Sequence, residues 1–241
     1  MLITSFSAAA FDTNCHVVSA GAGEECVIID PGVGVVEVLE QVIDYYKLRP
    51  THVLLTHAHS DHVHSVTPVC GTYGIATTVH DADRYRLHDP LADLEPHLLR
   101  MLEENFGSRN SWREPDEIMT INQDMTLELA GLEFKVTHSP GHTEGSVIFQ
   151  INDIPEELSE DGSLIQTVFT GDVVVAGGIG RSDLPGGDSV AMRQTISENI
   201  LPIPDHTLLL PGHGPATNMK VERGSNPALL TIARGGIAES T

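Results

Sequence analysis

Four apolar runs in this chain each end in a turn that carries metal-type ligands: VLLTHAHSDH, FKVTHSPGH, TVFTGD and LLLPGH. That regularity constrains the fold more than any bulk property. Each run reads as a strand, so four strands deliver His57, His59, Asp61 and His62, then His142, then Asp172, then His213, to loops at their C-terminal ends. If those ends lie along one edge of the packed sheets, the loops share a cleft, which is where α/β proteins place their chemistry.

The first run continues as THAHSDHVH over residues 56–64, and histidine at this density is too polar for core packing. His57 and His59 stand two apart, so on extended backbone both rings point to the same side and can grip one cation. A helix beginning after Ser60 reverses the chain and aims Asp61 and His62 at a second point nearby. Imidazole and carboxylate suit zinc, iron or manganese, and a set without cysteine argues against a closed structural zinc site. Open coordination positions imply catalysis.

Around these turns the chain mixes short β-branched runs with helical patterns. Strands are expected at 26–29, 52–56, 77–79, 132–137, 146–151, 167–170 and 207–210, and helices at 35–47, within 91–106 and at 189–201. The pattern is α/β with much of the sheet antiparallel, and no repeat or linker divides it, so residues 1–241 are expected to form a single domain. The acidic stretch at 152–163 reads as a surface excursion between two strands.

The 34 acids against 13 bases, a formal charge of -21, disfavour a nucleic-acid partner, which would have to be held by phosphate contacts. Three cysteines without a CxxC pair exclude a disulfide scaffold and suggest a reducing compartment. The N-terminus lacks the basic and apolar regions of a leader, and no run is long enough to cross a membrane. The expectation is a soluble cytoplasmic protein.

THAHSDH, PGHT, GD and PGH, in this order, resemble the metallo-β-lactamase superfamily of hydrolases, from NCH at Asn14 to NPALL at Asn226. The resemblance implies a four-layer αββα sandwich of two mixed β-sheets. It also implies that His57, His59 and His142 hold one metal, that Asp61, His62 and His213 hold a second, and that Asp172 bridges them. Flavodiiron-type sites have Glu where His59 stands, and common metallo-β-lactamases replace Asp172 or His62. GRSDLPGGD at 180–188, with PGHGP and ERGSNP, looks most like the short glyoxalase II-like hydrolases. One departure is His64-Ser65, which occupies the place of the usual glycine pair and reads as a local packing change or as a means of tuning the second metal.

The implied activity is a dinuclear hydrolase of thioesters of a small thiol, with two divalent metals, zinc before iron or manganese, and with Asp61 and Asp172 as catalytic groups that orient the attacking hydroxide. A thiolate leaves without a strong general acid, which matches the absence of a spare acid in the motifs. Only Lys220, Arg223 and Arg234 follow the last ligand as bases, too few for the glutathione grip of the larger enzymes. The alternatives are a persulfide dioxygenase using one iron on His57, His142 and Asp172, a lactonase or other esterase, and a non-catalytic metal-binding protein.

Other residues are weighed against blander roles. His138, four before His142, is a candidate support for that loop, and Arg181 and Asp183 are spaced to pair and shape theirs. Cys15 reads as a small buried hydrophobe. His16, His52, His80, His88, His97 and His206 are left outside the site.

Overall fold

ECVII and the end of RPTHVL run side by side in the same direction because the helix between them carries the chain back over one sheet face. In the computed structural model, which describes residues 1–107, 109, 112–158 and 162–236, these strands belong to a six-stranded sheet. It comprises β1 (Leu2–Ser7), β2 (Asn14–Ser19), β3 (Glu25–Ile29), β4 (Arg49–Leu54), β5 (Ala76–His80) and β6 (Ile118–Ile121), in that spatial order. The first two pairings are antiparallel and the last three parallel. The second sheet runs β12 (Thr217–Asn218), β11 (Thr207–Pro211), β10 (Gln166–Gly171), β9 (Val147–Ile151), β8 (Leu132–His138) and β7 (Met125–Leu129). Only β10 and β11 pair parallel there.

Three apolar layers explain the stacking. Val18, Val27, Ile29 and Leu54 of the first sheet meet Phe134, Phe149, Phe169 and Leu210 of the second, forming the core between the sheets. On the outer face of the first sheet, Cys26, Ile28 and Val53 pack under α1 (Val36–Tyr46) and α3 (Val66–Tyr73) through Leu39, Ile43, Val66 and Val69. On the outer face of the second, Ile148, Val168 and Leu209 pack under Met192 of α5 (Ser189–Thr195), Met219 of α6 (Met219–Ser225) and Leu229 of α7 (Pro227–Ala233). The alternation of strand side chains between faces feeds two layers from each sheet. The result is the four-layer αββα sandwich of two mixed sheets that the resemblance implied.

Every expected strand and helix is present. The 189–201 helix divides into α5 and a π-type turn at Ile196–Ile200, and the 91–106 stretch becomes α4 (Pro96–Phe106). The structure adds β1, β2, β6, β7, β12, α3, α6, α7 and the short α2 (Ser60–Val63), which starts where a helix was anticipated. The acidic 152–163 stretch joins β9 to β10, and its described part meets the N-terminus: the Met1 amino group lies 3.4 Å from Asp153. Residues 159–161 of that stretch lie outside the described residues. None of the helices among the described residues is long and apolar enough to cross a membrane.

Candidate metal centre

The loops after β4, β8, β10 and β11 open at the same edge of the sandwich, and all seven sequence-identified residues converge there. His57 and His59 leave the end of β4 in extended backbone, and α2 then turns Asp61 and His62 back toward them. Three groups of side chains have ligand atoms close enough to share an ion: His57, His59 and His142; His57, His62 and Asp172; and Asp61, His62 and His213.

In the first group, His142 Nε2 stands 2.8 Å from His59 Nδ1 and 3.2 Å from His57 Nε2. In the last, His213 Nε2 stands 3.1 Å from Asp61 Oδ2 and 3.3 Å from His62 Nε2. Asp172 lies between them, with Oδ2 3.5 Å from His142 Nε2 and 3.4 Å from His213 Nε2, and Oδ1 3.5 Å from His62 Nε2. Its Oδ1 is buried with no hydrogen-bond partner. A buried carboxylate oxygen left in that state is costly, whereas a cation between the two groups would satisfy it. The donor set therefore fits divalent metal.

Electrostatics separate the two ends of the site. Burial, reinforced by the neighbouring imidazoles, pushes His57 and His59 well below the usual histidine range and keeps their lone pairs available. Burial also lowers His62, but Asp61, Asp172 and Asp30 outweigh it and hold its proton up to about 10. His213 is raised against burial by its contact with Asp61 and by Asp172. Burial raises Asp61, yet the imidazoles of His62 and His213 win and keep it well below the usual carboxylate range. Carboxylates that hold protons on their imidazole neighbours would equally favour a bound cation in their place.

The outward nitrogens are also fixed, which sets ring orientation and tautomer. His62 Nδ1 meets Asp30 Oδ2 at 2.9 Å, and Asp30 also accepts from the Thr56 amide at 2.8 Å and the Thr56 hydroxyl at 2.6 Å. His142 Nδ1 meets the Arg181 carbonyl at 2.7 Å, and His213 Nδ1 meets the Phe11 carbonyl at 3.1 Å. Thr13 donates its hydroxyl to Asp61 Oδ2 at 3.0 Å. The fully buried Asp83 accepts from the Ala58 amide at 2.9 Å, the Thr143 hydroxyl at 2.7 Å and the Gly145 amide at 2.8 Å, so it ties the His57–His59 loop to the His142 loop. Sequence reasoning missed Asp30, Asp83 and Thr13. Asp30 alone carried a signal, because CVIID is another apolar strand ending in an acid.

Several secondary assignments gain detail. His138 donates from Nε2 to the Glu144 carbonyl at 2.8 Å, so it supports the loop that carries His142 and belongs to none of the three groups. Arg181 and Asp183 form a two-point pair at 2.8 and 2.9 Å. His64 packs beside Phe106, with ring centroids 6.4 Å apart, and belongs to none of the three ligand groups. Cys15 is fully buried, and burial, helped by Asp30, pushes its thiol well up, as suits a packing residue. His16, His52, His80, His88, His97 and His206 stay outside all three groups.

Comparison with known proteins agrees with this geometry. The family model described as the metallo-beta-lactamase superfamily matches residues 8–154, and the chain belongs to that superfamily. Hydroxyacylglutathione hydrolase GloC of Haemophilus influenzae is 31% identical over 220 residues, covering 91% of this chain and 94% of that protein. Among solved structures, BLEG-1 B3 metallo-beta-lactamase is 31% identical with a TM-score of 0.74, covering 95% of this chain and 99% of its own. TTHA1623 in a di-iron-bound form is 30% identical with a TM-score of 0.71, covering 93% and 98% respectively.

Proposed function

We propose that this protein is a dinuclear metal-dependent thioester hydrolase of the glyoxalase II-like type. The observation that carries the reading is Asp172, whose Oδ2 lies between His142 of one group and His213 of the other and whose Oδ1, beside His62, is buried with no hydrogen-bond partner. His57, His59 and His142 would hold one metal, and Asp61, His62 and His213 the second, with Asp172 shared between them. The di-iron form of TTHA1623 and the hydroxyacylglutathione hydrolase GloC support two metals and a thioester respectively.

When bound, such metals would lower the pKa of a coordinated water toward about 7 and polarise the acyl oxygen. Asp61 and Asp172 would orient the attacking water by accepting its hydrogen bond, and Thr13, donating to Asp61 at 3.0 Å, fixes that carboxylate for this role. The two other buried acids beside the site, Asp30 and Asp83, are both committed to hydrogen bonds inside the protein. Neither is placed to protonate a leaving group. A thiolate, with a conjugate-acid pKa of about 8.5, needs no such acid, and an amine does. Thioesters are therefore favoured over the amide of a β-lactam.

Elemental analysis of protein purified without added metal, run beside thioester turnover, tests the reading. About two metals per chain with thioester hydrolysis is the expected result. One iron per chain, with oxygen uptake on a persulfide and no thioester turnover, would replace it with the dioxygenase.

A further inference from the structure

A cavity of about 420 Å³ opens beside His59 and Asp61, large enough for a small ligand. One side of it is apolar, from Leu94, Leu98, Leu184 and Pro185. Three basic side chains reach it, Arg86, His88 and Arg181, and each is already matched by acids of the protein. Arg86 is buried and bonds Glu144 at 2.9 Å and Asp93 at 3.1 Å, with Asp83 3.7 Å away. It also donates to the Pro185 carbonyl at 2.8 Å and lies over the Tyr85 ring, 4.9 Å from its centroid. His88 meets Glu114 at 2.9 Å, and Arg181 is held at two points by Asp183. One acid of the same wall is not matched in return. Asp89 pairs with Arg109, but Glu95 is exposed with no hydrogen-bond or ion-pair partner among the described residues.

An anionic thiol carrier entering this cavity finds no free cation. If its carboxylate displaced Asp183 from Arg181, the displaced acid would remain beside the cavity, between the lining residues Arg181 and Leu184 in the chain, so the local charge balance would not improve. The chain's net charge of -21 acts in the same direction over longer range. We propose that this cavity selects thioesters whose thiol half carries no net negative charge, with Asp183 and Glu95 as the residues that set the preference. This rests on the thioester reading and narrows it to a substrate class.

The test uses three S-acetyl esters on the metal-loaded enzyme: of N-acetylcysteamine, which is neutral, of thiocholine, a cation, and of mercaptosuccinate, a dianion. At low ionic strength kcat/KM for the first two should exceed that for the dianion by about tenfold or more, and the gap should narrow in high salt. Asp183→Asn, which removes the acid paired with Arg181, and Glu95→Lys should each raise turnover of the dianionic ester relative to that of the neutral ester. Binding of the corresponding S-ethyl thioethers, read by calorimetry, should follow the same order without any chemistry. Hydrolysis with the dianion equal or preferred overturns the charge selection and leaves the thioester reading standing. Failure to hydrolyse any ester, with the thioether order as expected, overturns the thioester reading and leaves the charge preference of the cavity intact.

Discussion

The Thr143 hydroxyl donates to Asp83 Oδ2 at 2.7 Å, and the Ala58 amide donates to the same oxygen at 2.9 Å. Thr143 follows His142 and Ala58 lies between His57 and His59, so a single buried carboxylate fixes the spacing of the three-histidine group. Asp83→Asn replaces one acceptor oxygen with a donor that faces N–H or O–H groups. The expected cost is about 1 to 3 kcal/mol of stability and a loss of metal affinity of about 10- to 100-fold. Denaturant unfolding and competitive metal titration measure the two effects. Unchanged affinity in a destabilised variant would show that Asp83 braces the fold and not the ligands.

Gly212 sits in the PGH turn for reasons of space. A Cβ built on it would lie 2.3 Å from Asp172 Oδ1 and 2.6 Å from His62 Cε1. Gly212→Ala should therefore push the shared carboxylate out of place while the backbone bonds of Gly212, to the Gly171 carbonyl and from the Asn14 amide, persist. Native-like circular dichroism with metal content well below wild type is the expected outcome. Gly71→Ala, at a position where an added Cβ meets nothing within 4 Å, serves as the control and should keep its metal.

That glycine marks what was legible in the sequence. The seven converging residues could be read because each terminates an apolar run, and strand ends are where the chain must leave the sheet. Asp30 was equally exposed to that logic, in CVIID, but a lone acid without a histidine beside it looks like an ordinary turn. Asp83 had no comparable signal: HDADRYRL contains two acids, and only the folded loop selects the one that is buried. Among the elements, α3 was hidden because VTPVCGTY contains Pro68, Gly71 and β-branched residues of poor helix propensity. Burial of Val66, Val69 and Cys70 against the sheet overrides that preference. By contrast, α7 announced itself through Asn226 as cap and Pro227 at the first turn, a signal that went unused. Strands such as β7, with two of its five residues partly buried and three exposed, lack the apolar run on which the reading relied.

His80 and His138 stack with ring centroids 3.9 Å apart and an angle of 9°, away from the ligands. Burial and the His138 ring lower His80 to about 4 against the opposing pull of Asp81 and Asp124. Its folded value lies below the unfolded one, so the stability it contributes is complete above about pH 6.5 and is lost as the pH falls toward 4. His80→Phe keeps a ring in the stack and removes the titration. Between those pH values its stability should fall less steeply than that of wild type at matched metal loading. The difference should be a fraction of the roughly 1.4 kcal/mol per pH unit that one full proton would give. Parallel stability curves for the two proteins would exclude the stack as a source of acid sensitivity.

Asp172 and His213 separate a two-metal hydrolase from a one-metal enzyme because the two mechanisms need them differently. Asp172 reaches toward His62, His142 and His213 at 3.4 to 3.5 Å, so Asp172→Asn should weaken both metals and cut thioester turnover by about 100-fold or more, since it removes the shared anion. A one-iron dioxygenase would also lose a ligand by this change, and Asp172→Asn alone does not discriminate. His213, in contrast, contacts Asp61 at 3.1 Å, His62 at 3.3 Å and Asp172 at 3.4 Å, and lies outside the three-histidine group. His213→Ala should therefore drop the metal content from about two to about one per chain and take most of the thioester turnover with it. Elemental analysis and turnover of the two variants side by side decide the matter: a His213→Ala protein with wild-type metal content and wild-type rate would sink the dinuclear mechanism, because the second histidine group would then be holding nothing the reaction uses.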